Sequence, residues 1–132
     1  MGDDSLINRL GIYIVDDLPQ ICRIIERTVK KLCPDIPTYV FNSASDALES
    51  MCSSPPLIVF SDMNMPQGMN GYEFLSKVRE LYPEARRAMV SSSKDMMMRE
   101  MRKSDIIERF VEKPDIGKSI TDVLREFLGD LE

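Results

Sequence analysis

Five residues in this chain could do chemistry together if the fold gathers them. Asp16 and Asp17 follow the apolar run Gly11-Ile12-Tyr13-Ile14-Val15, and Asp62 follows Leu57-Ile58-Val59-Phe60-Ser61. Ser91 follows Arg87-Ala88-Met89-Val90, and Lys113 follows Glu108-Arg109-Phe110-Val111-Glu112. Taken singly, each has a bland reading. Asp62 starts a turn, the Asp16-Asp17 pair caps a helix, Ser91 caps a strand end and Lys113 is a solvated charge before a proline. Together, at the ends of successive apolar runs, they describe a site. Two like charges ~4 Å apart repel by about 4 kcal/mol at an effective dielectric of about 20. Three carboxylates in one place therefore need either a retained proton or a cation. Hard oxygen ligands without Cys or His favour Mg²⁺, which keeps waters and pairs with one or two carboxylates and a phosphate. Lys113 offers that phosphate a positive charge and Ser91 offers it a hydrogen-bond donor. With no Cys or His available there as nucleophile, Asp62 is the natural phosphoryl acceptor.

The elements that must bring these residues together alternate along the chain. Short continuous apolar runs bounded by breakers read as strands buried on both faces. Strands are predicted at Gly11–Val15, Thr38–Phe41, Leu57 up to Asp62, Arg87–Val90 and Glu108–Glu112. Helices are predicted between and after them. The first starts at Leu18-Pro19, carries Ile21, Ile24, Ile25, Val29 and Leu32 on its apolar face, and ends at Cys33-Pro34. The second is capped by Ser43 with Asp46 and faces inward through Ala47, Leu48 and Met51. The third is capped by Asn70 with Glu73 and carries Phe74, Leu75, Val78 and Leu81. The fourth spans Lys94 to Lys103, and the last runs from about Asp115 to Leu128. Met96, Met97, Met98 and Met101 read as packing of the fourth helix on the sheet, with an adaptable binding surface as the alternative. Strict alternation implies an α/β fold, a doubly wound five-stranded parallel sheet with five helices and right-handed crossovers. Residues 1–132 read as one domain with its core over about 11–128. Parallel strands point one way, so Asp16, Asp17, Asp62, Ser91 and Lys113 share one rim, to which the second strand adds only Asn42. That rim is where open α/β sheets bind ligands.

Composition narrows the function classes. The chain has 132 residues, 43% hydrophobic and 30% charged, with a formal net charge of −5 and no histidine. The absence of histidine removes His-based acid–base catalysis and phosphohistidine chemistry within the chain, and the negative balance disfavours direct contact with nucleic acid. Cys22, Cys33 and Cys52 lack metal-ligand spacing and read as reduced, partly buried thiols. No run approaches a membrane span and no leader marks secretion, so a cytoplasmic protein without membrane contact is expected.

The four motifs, an Asp pair after strand one, Asp-x-x-Met-Pro after strand three, Ser after strand four and Lys-Pro after strand five, resemble the receiver domain of two-component response regulators. The likeness is to the stand-alone, chemotaxis-type form and covers roughly Gly11 to Leu128. It implies a flavodoxin-like strand order of 2-1-3-4-5. It makes Asp62 the phosphoacceptor, Asp17 a direct Mg²⁺ ligand, Asp16 a ligand directly or through water, and the Asn64 carbonyl a further ligand. Ser91 and Lys113 would bind the phosphoryl oxygens, Ser91 and Phe110 would be the switch pair, and Asn64 and Ser93 would tune dephosphorylation. A cis Lys113–Pro114 peptide is implied as well. The phosphoryl donor would be a sensor histidine kinase or phosphotransfer protein. The output would be the surface of the fourth helix, fifth strand and fifth helix, read by a downstream protein target or by a second copy in a phosphorylation-dependent homodimer. Such a protein is not an enzyme beyond catalysing its own phosphorylation and dephosphorylation. Two other readings stay open, a phosphorylation-independent pseudo-receiver and a Mg²⁺-dependent aspartyl-phosphate phosphatase. The sequence departs from the family pattern in three places. The loop Pro66 to Gly71 has one residue more than usual, Asp105-Ile106-Ile107 stands where a Gly-Ala pair is usual, and the switch aromatic is Phe in place of the frequent Tyr.

Overall fold

Both faces of β1 (Gly11–Val15) and β3 (Pro56–Asp62) are buried along their whole length, which is why these runs show no polar alternation. The computed structural model describes residues 10–65, 68–91 and 105–129. Its five strands, completed by β2 (Thr38–Phe41), β4 (Arg86–Ser91) and β5 (Arg109–Glu112), form one parallel sheet in the order β2-β1-β3-β4-β5. Four α-helices stand among the described residues: α1 (Pro19–Leu32), α2 (Ala44–Met51), α3 (Gly71–Leu81) and α4 (Ile116–Gly129). The helix predicted over Lys94 to Lys103, with its methionines, lies outside the described residues, as do Pro66 and Ser93.

Side-chain alternation divides the core into two layers. Ile12, Ile14, Ile58, Phe60, Ala88 and Val90 face Ile25 and Val29 of α1 and Ile120, Leu124 and Phe127 of α4. Tyr13, Val15, Val59 and Met89 face Ala47 and Met51 of α2 and Phe74, Leu75 and Val78 of α3. The described helices therefore cover the sheet on both sides and, among the described residues, leave its carboxyl edge open.

Local signals set the helix starts. Asn70 accepts from the Glu73 amide at 2.8 Å while the Glu73 carboxylate accepts from the Asn70 amide at 3.0 Å, a complete capping box. Ser43 shows one half of the same device, accepting from the Asp46 amide at 3.3 Å. The N-cap of α1 is Leu18, with no side-chain cap and Pro19 in its first turn.

Three expectations need correction. Ile24 is 42% exposed, because Cys22 takes the inward place and donates its thiol hydrogen to the Asp16 carbonyl at 3.3 Å. Leu81 ends α3 at 56% exposure, beyond the reach of the core. No peptide bond among the described residues is cis, so Lys113–Pro114 is trans. The chain instead leaves β5 through a 3₁₀ turn over Lys113–Asp115, and that turn suffices to place the ammonium over the site. Cys22 and Cys33 are buried thiols, whereas Cys52 is exposed. No described helix is long and apolar enough to cross a membrane.

Candidate functional site

Main-chain pairing carries each acidic residue to the open edge. The Asp16 amide donates to the Phe41 carbonyl at 3.1 Å, extending the β1–β2 ladder by one residue. Asp62 is the last residue of β3 and lies opposite Val90 of β4. Asp17, the next residue, is exposed, whereas Asp16 is buried. A carboxylate oxygen from each of Asp16, Asp17 and Asp62 lies within 4.8 Å of the other two. Lys113 comes from the turn after β5, with Nζ 3.2 Å from Asp62 Oδ1 and 3.9 Å from Asp16 Oδ2. The first distance is a charge-assisted hydrogen bond, and the second is attraction without a bond.

The site is short of positive charge. Asp16 and Asp62 are only 2% and 4% exposed, so solvent does little to stabilise their charged forms. Burial, joined by repulsion from Asp62 and Asp17, lifts the Asp16 carboxyl from 3.8 to about 6, against the Leu18 hydrogen bond and Lys113. Burial also raises Asp62, opposed by Lys113 through both its charge and its hydrogen bond. Asp16 Oδ1 accepts from the Leu18 amide at 2.9 Å, whereas the buried Oδ2 has no hydrogen-bond partner. An orphaned buried oxygen among three hard ligands fits a small divalent cation of the Mg²⁺ type. An open groove of about 460 Å³, lined in part by Asp16, Asp17, Arg23, Phe41 and Asn42, runs beside the cluster.

The other expected residues lie around this centre. Ser91 closes β4 opposite Glu112, and Phe110 pairs with Met89 two residues earlier. That register puts Ser91 and Phe110 on one face of neighbouring strands, with Phe110 packed on the core layer of α2 and α3. Asn64 is exposed in the loop after Asp62. That loop turns at Gly68 with φ 77° and closes through a Gly71 amide donating to the Met63 carbonyl at 2.9 Å.

Two supports escaped the sequence reading. The Ser61 hydroxyl donates to the Asp62 carbonyl at 2.9 Å. Gly71 sits so close beneath Asp62 that a Cβ there would lie 2.0 Å from the same carbonyl oxygen. A glycine in the first turn of an otherwise well-capped helix was the available signal, since glycine marks close backbone approach.

Residues 12–125 match the model of the response regulator receiver domain. The chain belongs to this family. The receiver domain is 32% identical over 76 residues to the DNA-binding transcriptional regulator NtrC of Proteus hauseri, covering 55% of this chain and 15% of that protein. It is 30% identical over 84 residues to the hydrogenase transcriptional regulatory protein HoxA of Cupriavidus necator, covering 64% of this chain and 17% of that protein. The chain thus spans about a sixth of the curated relatives it matches. Among solved structures, an uncharacterized protein from Neptuniibacter caesariensis superposes with a TM-score of 0.82 at 30% identity, covering 91% of this chain and 87% of that one. Chemotaxis protein CheY4 of Vibrio cholerae shares the fold at a TM-score of 0.78 and 20% identity, over 89% of this chain and 98% of its own.

Two expectations follow for the receiver domain. The folded pKa of Asp16 lies above its unfolded value, so between about pH 4 and 6 the folded state binds more protons, and the contribution of Asp16 to stability falls as pH rises through that window. Asp16→Asn should therefore gain on the wild type with rising pH, by on the order of 2 kcal/mol at neutrality. Urea denaturation in a chelating buffer at several pH values measures this, and a pH-independent difference contradicts it. Gly71→Ala should cost about 1–3 kcal/mol through overpacking against Asp62. Gly117→Ala, with nothing within 4 Å of its Cβ, should be neutral or stabilising in the same assay. Equal effects of the two would contradict the close-approach reading of Gly71.

Proposed function

We propose that this receiver domain is a phosphorylation-dependent switch in which Asp62 accepts a phosphoryl group. The observation that carries the reading is the Lys113–Asp62 contact of 3.2 Å inside a cluster of three carboxylates. The donor is the phosphohistidine of a sensor histidine kinase or phosphotransfer protein, since the chain has no histidine of its own. An Asp62 carboxylate oxygen attacks phosphorus, the donor's P–N bond breaks, and the imidazole leaves with a proton from solvent. Asp16, Asp17 and Asp62, with the Asn64 carbonyl, would hold Mg²⁺, which when bound offsets the charge of the entering phosphoryl group. Lys113 orients the Asp62 carboxylate beforehand and afterwards pairs with a phosphoryl oxygen. The Ser91 hydroxyl donates to another, a charge-assisted bond stronger than a neutral one. Its shift, with the inward movement of Phe110, biases a pre-existing equilibrium of the strand-five face.

Output then passes through β5, α4 and the residues between Ser91 and Asp105 to a downstream protein, or to a second copy in a symmetric dimer. The negative charge of this chain opposes direct DNA contact, and the DNA binding named for NtrC belongs to that far longer protein. The domain turns over no substrate beyond its own aspartyl phosphate, and a cytoplasmic setting suits its kinase partner. A phosphorylation-independent module gains no support, because Asp16, Asp17, Asp62, Ser91 and Lys113 are all present.

Incubation with acetyl phosphate and Mg²⁺, followed by intact-mass and peptide mass spectrometry, tests the reading. One phosphoryl group on Asp62 is expected, lost in Asp62→Asn and without Mg²⁺. Label on another residue, or none in the wild type, overturns it.

A further inference from the structure

The stretch that departs from the family pattern before strand five is gripped by a single buried cation. Arg87 stands in β4 opposite Val59 and is 5% exposed. Its guanidinium donates to the Ile106 carbonyl at 2.7 Å, the Ala85 carbonyl at 2.5 Å and the Asp105 carbonyl at 3.1 Å. Its Nη2 lies 3.7 Å from Glu108 Oε1. Glu108 completes the clamp. Its Oε1 accepts from the Arg87 amide at 3.0 Å, its own amide donates to the Arg87 carbonyl at 3.0 Å, and its Oε2 accepts from Arg86 Nε at 3.0 Å. A buried guanidinium is costly unless its donors are used. Here Nε and Nη2 are spent on the Ile106 and Asp105 carbonyls just before β5, while Nη1 is held by the Ala85 carbonyl just before β4.

That strand needs an anchor. β5 has four residues and lies at the sheet edge with β4 as its one neighbour, so its own ladder is short. It nevertheless carries Phe110 and delivers Lys113 to Asp62 at 3.2 Å. Extended chain advances about 3.3 Å per residue, so the place where β5 begins fixes the place where Lys113 arrives. A one-residue slip would also turn Phe110 to the opposite face.

We infer that Arg87 is a positioning residue for the phosphoacceptor site, setting through the Asp105 and Ile106 carbonyls and the Glu108 carboxylate the register at which β5 enters and hence the reach of Lys113 to Asp62. The inference rests on the reading of Asp62 as phosphoacceptor. Lysine cannot replace the arginine, because a compact ammonium does not address separated carbonyls as a planar fork does.

The test is a titration of the full chain with beryllofluoride and Mg²⁺, at a temperature where circular dichroism shows every variant folded. Arg87→Met should lose about tenfold in beryllofluoride affinity and Arg87→Lys should not restore it, while Glu108→Gln, a milder lesion, should lose about threefold. Val29→Ala, a cavity in the opposite core layer, controls for lost stability and should bind as the wild type does. Hydrogen exchange should show the amides of residues 109–112 opening faster in the Arg87 and Glu108 variants while those of β1 are unchanged. Wild-type affinity in Arg87→Met, equal loss in Val29→Ala, or unchanged exchange in β5 overturns the inference. A wild type that fails to bind beryllofluoride refutes the phosphoacceptor reading instead, and the exchange result still decides the role of the clamp. Should Arg87→Met not fold, Glu108→Gln decides both readouts.

Discussion

Two nearly buried carboxylates, Asp16 and Asp62, share one ammonium, with a third carboxylate on Asp17 beside them. Lys113 satisfies Asp62 by a hydrogen bond and only leans on Asp16, whose inner oxygen has no hydrogen-bond partner among the described residues. Repulsion of this kind cannot persist in a flexible segment, because side chains would swing apart into water. It persists here because each group ends a strand of a sheet buried on both faces. The core layers built from Ile58 and Phe60 on one side and Val59 on the other hold β3 in place, and Asp62 inherits that rigidity.

The supports nearest the site act on main chain more than on side chains. Ser61 and Gly71 hold the Asp62 peptide from two directions, and the Gly71 amide ties down the loop that follows. At the β4–β5 edge of the sheet, the Arg87 and Glu108 network holds the entry of the strand that leads to Lys113. The acidic pair and its ammonium are thus held through different strands, and the separation between them follows from backbone placement. Such an arrangement leaves the electrostatic strain to be relieved by what binds, since the groups themselves cannot relax.

Much of this was legible in the sequence. Continuous apolar runs at Gly11–Val15 and Leu57–Phe60 announced central strands, and the parallel topology then forced Asp16, Asp62 and Lys113 to one edge. The Asn70 and Glu73 capping box was readable because both partners lie three residues apart. What escaped depends on contacts between distant residues. Periodicity placed Ile24 inward, but the exact rotation of α1 is set by packing against the sheet and α4, which favours Cys22. Arg87 looked like an ordinary strand residue, because its partners at 105–108 lie 18 to 21 residues further along the chain. The trans Lys113–Pro114 peptide was missed because its geometry was taken from resemblance, and the 3₁₀ turn that does the same work leaves no separate mark in the sequence.

The central claim is that the fold holds more negative charge at this edge than Lys113, the one ammonium paired there among the described residues, can balance. Calorimetric titration of Mg²⁺ into the chelator-treated protein, repeated in buffers of different ionisation enthalpy, tests it directly. The account predicts one ion bound per chain with release of protons, and a release that grows as pH falls from about 7.5 toward 6, where the Asp16 carboxyl is partly protonated. No binding, or binding with no proton release at any pH in that range, would contradict it.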